Sequence, residues 1–170
     1  MDSKHTLLES IQNGLSASLG KVTKIQWVRK LAGGDINQAA LIRSGETKWF
    51  VKYHEHAPED MFATEAQALA ELLEQGVIKV PSAVAQGTDG KISWLVLEHL
   101  ELTAMGPVSL MGEQLAALHD IPREYFGWTC DNYIGTTPQT NARCDNWAEF
   151  WSQCRLQPQF AMAESAGTTA

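Results

Sequence analysis

No run of apolar residues in this 170-residue chain approaches the roughly 18 needed to cross a bilayer, so no transmembrane helix is expected. Lysine and arginine nowhere form a run, and the formal charge is −7. Phosphate backbones are bound by clustered cations, so nucleic acid is not expected as a main partner. The three cysteines, Cys130, Cys144 and Cys154, are odd in number and lack any CxxC or His/Cys ligand spacing. That pattern predicts free thiols in a reducing compartment, neither a disulfide framework nor a structural zinc site. His54 and His56 share one face of a strand end, which is a meagre basis for metal binding. The stretch Met1 to Ser10 is polar apart from Leu7 and Leu8 and does not read as a secretory signal, so a cytoplasmic protein is expected. What the chain does have is 44% hydrophobic content and a length sufficient for a packed core.

Thr6 and Glu9 fit a capping box, and Leu8, Ile11, Leu15 and Leu19 continue at helical spacing to Gly20. A strand is expected over Val22 to Leu31, with Ile25, Trp27 and Val28. Two adjacent glycines, Gly33 and Gly34, then mark a turn. Lacking Cβ atoms, they let backbone amides come close to a ligand such as a phosphate, although a Gly-Gly pair by itself also serves as a plain turn. A second strand, Gln38 to Arg43, meets a third through Ser44-Gly45-Glu46-Thr47. In the third strand alternation places Trp49, Val51 and Tyr53 on one side and Phe50 with Lys52 on the other.

From Pro58 to Gln75 the periodicity is helical: Phe62, Ala66, Leu69 and Leu73 form one stripe, and Gly76 is a stop signal. Glu65 falls on that stripe. A carboxylate there needs a cation or a raised pKa, and Lys52 is the obvious partner. The alternative keeps both as solvated surface residues. Beyond Val80-Pro81, a strand over Ala83 to Gln86, a turn at Gly87-Thr88-Asp89-Gly90 and a strand over Ile92 to Leu100 make a hairpin, its Trp94-Leu95-Val96-Leu97 run suited to burial on both faces. Five strands and one intervening helix result. The run ends in Glu98-His99-Leu100-Glu101, either an interlobe hinge or a strand ending in polar residues. Pro107 to His119 reads as a helix through Leu110, Met111, Leu115 and Leu118, residues 120 to 144 as loop. Asp145 is expected to cap a last helix with Trp147, Phe150, Trp151 and Cys154, kinked or ended by Pro158. Its aromatic stripe reads as core, with a ligand-stacking platform as the alternative.

The chain resembles the fructosamine and ketosamine kinases, relatives of the aminoglycoside and choline phosphotransferases. The resemblance rests on Gly33-Gly34-Asp35-Ile36-Asn37-Gln38-Ala39, Phe50-Val51-Lys52, Phe62 with Glu65-Ala66, Val80-Pro81 and Leu95-Val96-Leu97-Glu98. It continues through Leu115-Ala116-Ala117-Leu118-His119, Phe126-Gly127-Trp128, Asp131-Asn132-Tyr133-Ile134-Gly135, Gln139, Asn141, Trp147, Phe150 and Arg155-Leu156. It implies an α+β, protein-kinase-like fold: an amino-terminal lobe over residues 1–100, with a five-stranded antiparallel sheet and one C-type helix, and the first helices of a helical carboxy-terminal lobe over 101–170. The implied activity is ATP-dependent phosphorylation of the sugar 3-hydroxyl of glycated amines or proteins, a deglycation repair. The implied cofactors are ATP and Mg²⁺. Gly33, Gly34, Asp35, Ile36 and Asn37 would cover the phosphates. Lys52 would contact the α- and β-phosphates, with Glu65 holding it, and Glu98 and Leu100 would lie at the adenine hinge.

The resemblance also calls for a His-Gly-Asp-Leu-Trp loop, whose aspartate orients the attacking hydroxyl, and for a later Asp-Pro that holds metal. Neither occurs. After the hinge stand only Asp120, Asp131 and Asp145, with Tyr125, Thr136 and Phe150 where the asparagine of the loop is needed. The expectation is a chain that stops before the catalytic loop, inactive alone, with Phe160 and Met162 exposed on a last helix that favours self-association. Three alternatives stay open: a non-catalytic nucleotide-binding module, the remnant of a kinase gene, or another small-molecule phosphotransferase.

Overall fold

The computed structural model describes residues 3–32, 36–102 and 106–167. Its contacts divide the chain into two compact units, Met1–His119 and Asp120–Ala170.

The first unit contains helix α1 (Ser3–Leu19), strands β1 (Gln26–Leu31), β2 (Gln38–Ser44) and β3 (Thr47–Glu55), helix α2 (Met61–Gln75), strands β4 (Ala83–Thr88) and β5 (Ile92–Glu98), and helix α3 (Val108–His119). The strands form one antiparallel five-stranded sheet, as the family resemblance implies, in the order β1-β2-β3-β5-β4. Its two faces are packed separately because side chains alternate along each strand. On one face Ile42, Trp49, Val51, Tyr53, Trp94 and Val96 meet Leu7, Ile11 and Leu15 of α1. On the other, Leu95 and Leu97 meet Phe62, with Phe50, Ala66 and Leu69 packed around them. The β5 run is therefore buried on both sides, Trp94 and Val96 under α1, Leu95 and Leu97 under α2.

Several boundaries differ from expectation for local reasons. Thr6 lies inside α1, which already runs from Ser3, so its backbone is helical and it is no N-cap. The buried stripe of α1 is Leu7, Ile11 and Leu15, spaced by four, while Leu19 is exposed. β1 begins only at Gln26. Val22 stands in solvent, and the linker before β1 is held by α1 side chains: Thr23 N donates to Ser16 Oγ at 3.0 Å and Ile25 N to Gln12 Oε1 at 3.2 Å. Gly87 lies within β4, not in the turn. A Cβ there would come 2.6 Å from the Trp94 ring. The turn itself is closed by Asp89, whose Oδ1 accepts from Lys91 N at 2.9 Å and Ile92 N at 2.7 Å.

β1 contains one irregularity with a large effect. Trp27 pairs with Ile42 but Arg29 with Leu41, leaving Val28 as an extra residue in a bulge. In regular register Lys30 would oppose Ala39. With the bulge, Leu31 does. A one-residue shift exchanges strand faces, so the bulge turns Leu31 toward the α2 side of the sheet.

In the second unit, residues 120 to 144 are not all loop. β6 (Asn132–Ile134) and β7 (Thr137–Gln139) form a hairpin around Gly135, and Phe126 bridges Cys144 with both backbone bonds at 2.8 Å. Helix α4 (Trp147–Trp151) is capped by Asn146, not Asp145. Asn146 Oδ1 accepts from Ala148 N at 2.8 Å and Glu149 N at 3.2 Å, because its backbone is the extended one that aims the side chain into the first turn. A π turn (Ser152–Leu156) then leads into α5 (Gln157–Ser165). Pro158 has no N–H for the Cys154 carbonyl four residues earlier, and Arg155 Nη1 donates to that carbonyl at 2.8 Å instead. The helix thus passes Pro158 without stopping. Of the aromatic stripe only Phe150 is core. Trp147 and Trp151 are half exposed, and Phe160 and Met162 are exposed on α5.

Candidate functional site

Lys52 sits in β3 between Ala39 of β2 and Leu95 of β5, on the face toward α2. Unpaired, an ammonium over that apolar floor would be poorly hydrated. Glu65 leaves the first turns of α2 between Phe62 and Leu69, two residues that anchor the helix on the same face. Lys52 Nζ donates to both Glu65 oxygens at 2.7 Å, so the pair the spacing predicts is formed. The two side chains are 25% and 29% exposed, which leaves the ammonium partly open to a further anion. A bidentate charged contact fixes the position of the lysine head, whose long stem would otherwise sample many rotamers.

Two residues before Lys52, on the same face, Phe50 enters the wall of a cleft of about 650 Å³. Leu31, delivered by the β1 bulge, and Leu97 complete an apolar floor; Glu98, His99 and Leu100 form the rim. The strand end is held at two levels. Glu98 N donates to Ser82 O at 2.9 Å, and Glu98 Oε2 accepts from Ser82 N at 3.3 Å and Ser82 Oγ at 3.2 Å. The Glu98 side chain is thereby held by Ser82, and the rim continues along the chain through His99 and Leu100. Flat apolar walls with a backbone edge suit a heteroaromatic ring.

Of the residues singled out in the sequence, Glu98 and Leu100 line this cleft. Lys52 and Glu65 do not, standing next to it beyond Phe50. Ile36 is exposed; Asn37 is half-buried, its Oδ1 shielded from solvent without a hydrogen-bond partner. Gly33, Gly34 and Asp35 lie outside the described residues. His119 ends α3, apart from any catalytic loop. Asp131 serves the second unit, its Oδ1 accepting from Asn141 N at 2.8 Å. Among the described residues no three His, Cys, Asp or Glu side chains gather as a metal site. Sequence reasoning missed Phe50, Leu31 and Leu97 as cleft walls; alternation in β3 exposed the first, but the bulge concealed the second.

The sequence profile described as fructosamine kinase matches residues 7–170. A probable ketoamine kinase of Synechocystis is 39% identical over 158 residues, which cover 91% of this chain and 54% of that protein. The chloroplastic protein-ribulosamine 3-kinase of rice (Oryza sativa subsp. japonica) is 34% identical over 143 residues, 81% of this chain and 41% of that protein. Among solved structures, a Haemophilus somnus protein designated a fructosamine-3-kinase superposes with a TM-score of 0.84 at 30% identity, covering 94% of this chain and 55% of that one. The chain spans about half the length of the curated relatives it matches. The sheet with α2 across one face is the protein-kinase-like fold of these structures.

Proposed function

From the premise that the chain belongs to the fructosamine kinase family, we propose that it forms the nucleotide-holding part of an ATP-dependent ketosamine kinase. The observation that carries this reading is the bidentate Lys52–Glu65 pair beside an apolar cleft with a backbone rim. When bound, ATP supplies the phosphoryl group to be transferred. Glu65 holds Lys52, and Lys52 neutralises α- and β-phosphate oxygens. Phe50, Leu31 and Leu97 receive the adenine ring, whose edge meets backbone groups between Glu98 and Leu100. The segment Gly33 to Asn37 covers the phosphates in this reading, and Asn37 contributes a solvent-shielded Oδ1.

In this reading residues 1–100 are the amino-terminal lobe and 101–170 part of a helical carboxy-terminal lobe. The acceptor is the sugar 3-hydroxyl of a glycated amine or protein, so the whole protein works in deglycation in the cytoplasm. No residue of this chain is assigned as the base for that hydroxyl. Such a division of labour separates nucleotide binding from transfer and lets the first be measured alone.

The test is thermal unfolding of the purified chain with and without ATP. Saturating ATP is expected to raise the melting temperature, the gain corresponding to about 2.7 kcal/mol at one hundred times Kd. Lys52→Met should remove the rise. An absent shift, or one equal in Lys52→Met, overturns the proposal.

A further inference from the structure

The unit Asp120–Ala170 carries a second, open-sided cavity, of about 590 Å³, that nucleotide binding leaves unused. One wall is the hairpin. Asn132 and Gln139 stand directly opposite each other in the β6–β7 register, and directly opposed residues of an antiparallel pair project from the same face. Both line the cavity. Asn132 Oδ1 already accepts from Asn141 Nδ2 at 2.9 Å, which turns the Asn132 amide so that its own N–H groups remain available. The Gln139 amide has no hydrogen-bond partner among the described residues. Two adjacent amides thus offer donors and an acceptor to one ligand.

Aromatic rings line the same cavity. Phe126 and Trp147 lie 5.6 Å apart between centroids and are 40% and 52% exposed, so apolar faces remain open. The frame behind these groups is stiff. Asn141 is 4% exposed and accepts at Oδ1 from Arg155 Nη2 at 2.6 Å, while the Arg155 guanidinium lies 4.5 Å over the Phe150 ring. A cavity prepared in this way does not reorganise to bind.

The chemistry selects the ligand class. Aromatic faces pack against the C–H face of a sugar, and paired side-chain amides match neighbouring hydroxyls. No aspartate or glutamate lines the cavity, so it holds no carboxylate to pair with a protonated amine. We propose that this cavity holds the polyhydroxylated sugar portion of a ketosamine, with the amine carrier left outside, an inference that rests on the ketosamine reading of the family. Asn132 and Gln139 read the hydroxyls, and Trp147 lies against the sugar.

The experiment is calorimetric titration of the full chain with Nα-acetyl-fructosyl-lysine, with Nα-acetyl-lysine as control and ATP binding followed in the same preparations. The glycated compound is expected to bind and the unglycated one not. Gln139→Ala should weaken binding five- to tenfold, the size of one or two lost hydrogen bonds, and Trp147→Ala at least as much, while both variants keep the wild-type ATP-induced rise in melting temperature. Lys52→Met should lose the ATP effect and keep the sugar. Equal binding in wild type and both variants, equal binding of Nα-acetyl-lysine, or no binding by a wild-type chain that does bind ATP overturns the assignment without touching the nucleotide reading. A wild-type chain that binds the sugar but shows no ATP response strikes only the latter.

Discussion

Gly14 of α1 lies against the indole of Trp94 so closely that a Cβ on the glycine would come 2.3 Å from Trp94 Cη2. Trp94 is 2% exposed, and Gly87 presses on the same ring from β4. Its Nε1 donates to Ser10 Oγ at 3.0 Å, one helical turn before Gly14. The ring has no direction in which to yield. Gly14→Ala is therefore expected to destabilise by about 1–3 kcal/mol through overpacking, despite the better helix propensity of alanine. Gly112, in the exposed helix α3, meets nothing within 4 Å. Gly112→Ala should stabilise by about 0.5–1 kcal/mol. Urea unfolding of the two variants checks the opposite signs.

Lys52 and Glu65 are partly exposed, and ion pairs in such positions contribute little to folding. Lys52→Met should lower the stability of the ligand-free chain by less than about 1 kcal/mol. Glu65→Gln removes the charge that holds the lysine head, and is expected to reduce the ATP-induced rise in melting temperature without abolishing it. A Glu65→Gln chain with a full ATP response would show that Lys52 needs no positioning.

The Asn146 side chain satisfies two backbone N–H groups at the start of α4. Asn146→Ala should cost about 1 kcal/mol, and Asp145→Ala should be near neutral. Hydrogen exchange at Ala148 and Glu149 is the direct measurement, faster in the first variant and unchanged in the second.

Glu55, at the end of β3, pairs with Lys91 in the β4–β5 hairpin. The hydrogen bond and charge of Lys91 hold the Glu55 carboxyl below the usual carboxylate range, and Glu55 in turn raises Lys91. A carboxyl depressed in the folded state contributes stability above its unfolded pKa, and that contribution is lost as pH falls through the folded value. The Lys91 contribution is present below its unfolded pKa and lost as pH rises through the raised one. Both groups are open to solvent, so the effect is small and screened by salt. An NMR titration should find the Glu55 midpoint below that of an ordinary glutamate, moving upward in Lys91→Ala and in high salt; an unmoved midpoint in Lys91→Ala would exclude this cause.

The sequence by itself determined those features whose physics is periodic or local. Alternation in β3 put Phe50 and Lys52 on one face, helical spacing put Glu65 on the stripe that carries Phe62 and Leu69, and the apolar run of β5 predicted a strand covered on both sides. The glycine stop at Gly76 follows from its left-handed φ of 64°, which other residues adopt at a cost. Only the tertiary structure decided where periodicity breaks. The Val28 bulge reverses the phase of β1 and brings Leu31 to the cleft, a choice made by pairing with β2 and invisible in a strand read alone. Gly87 read as a turn signal, and the approach of Trp94 places it in a strand. Asp145 and Asn146 are both good caps, and backbone conformation selected between them. The hairpin that sets Asn132 opposite Gln139 consists of two three-residue strands, too short for an alternation signal, so those amides meet only because the folded chain brings them together.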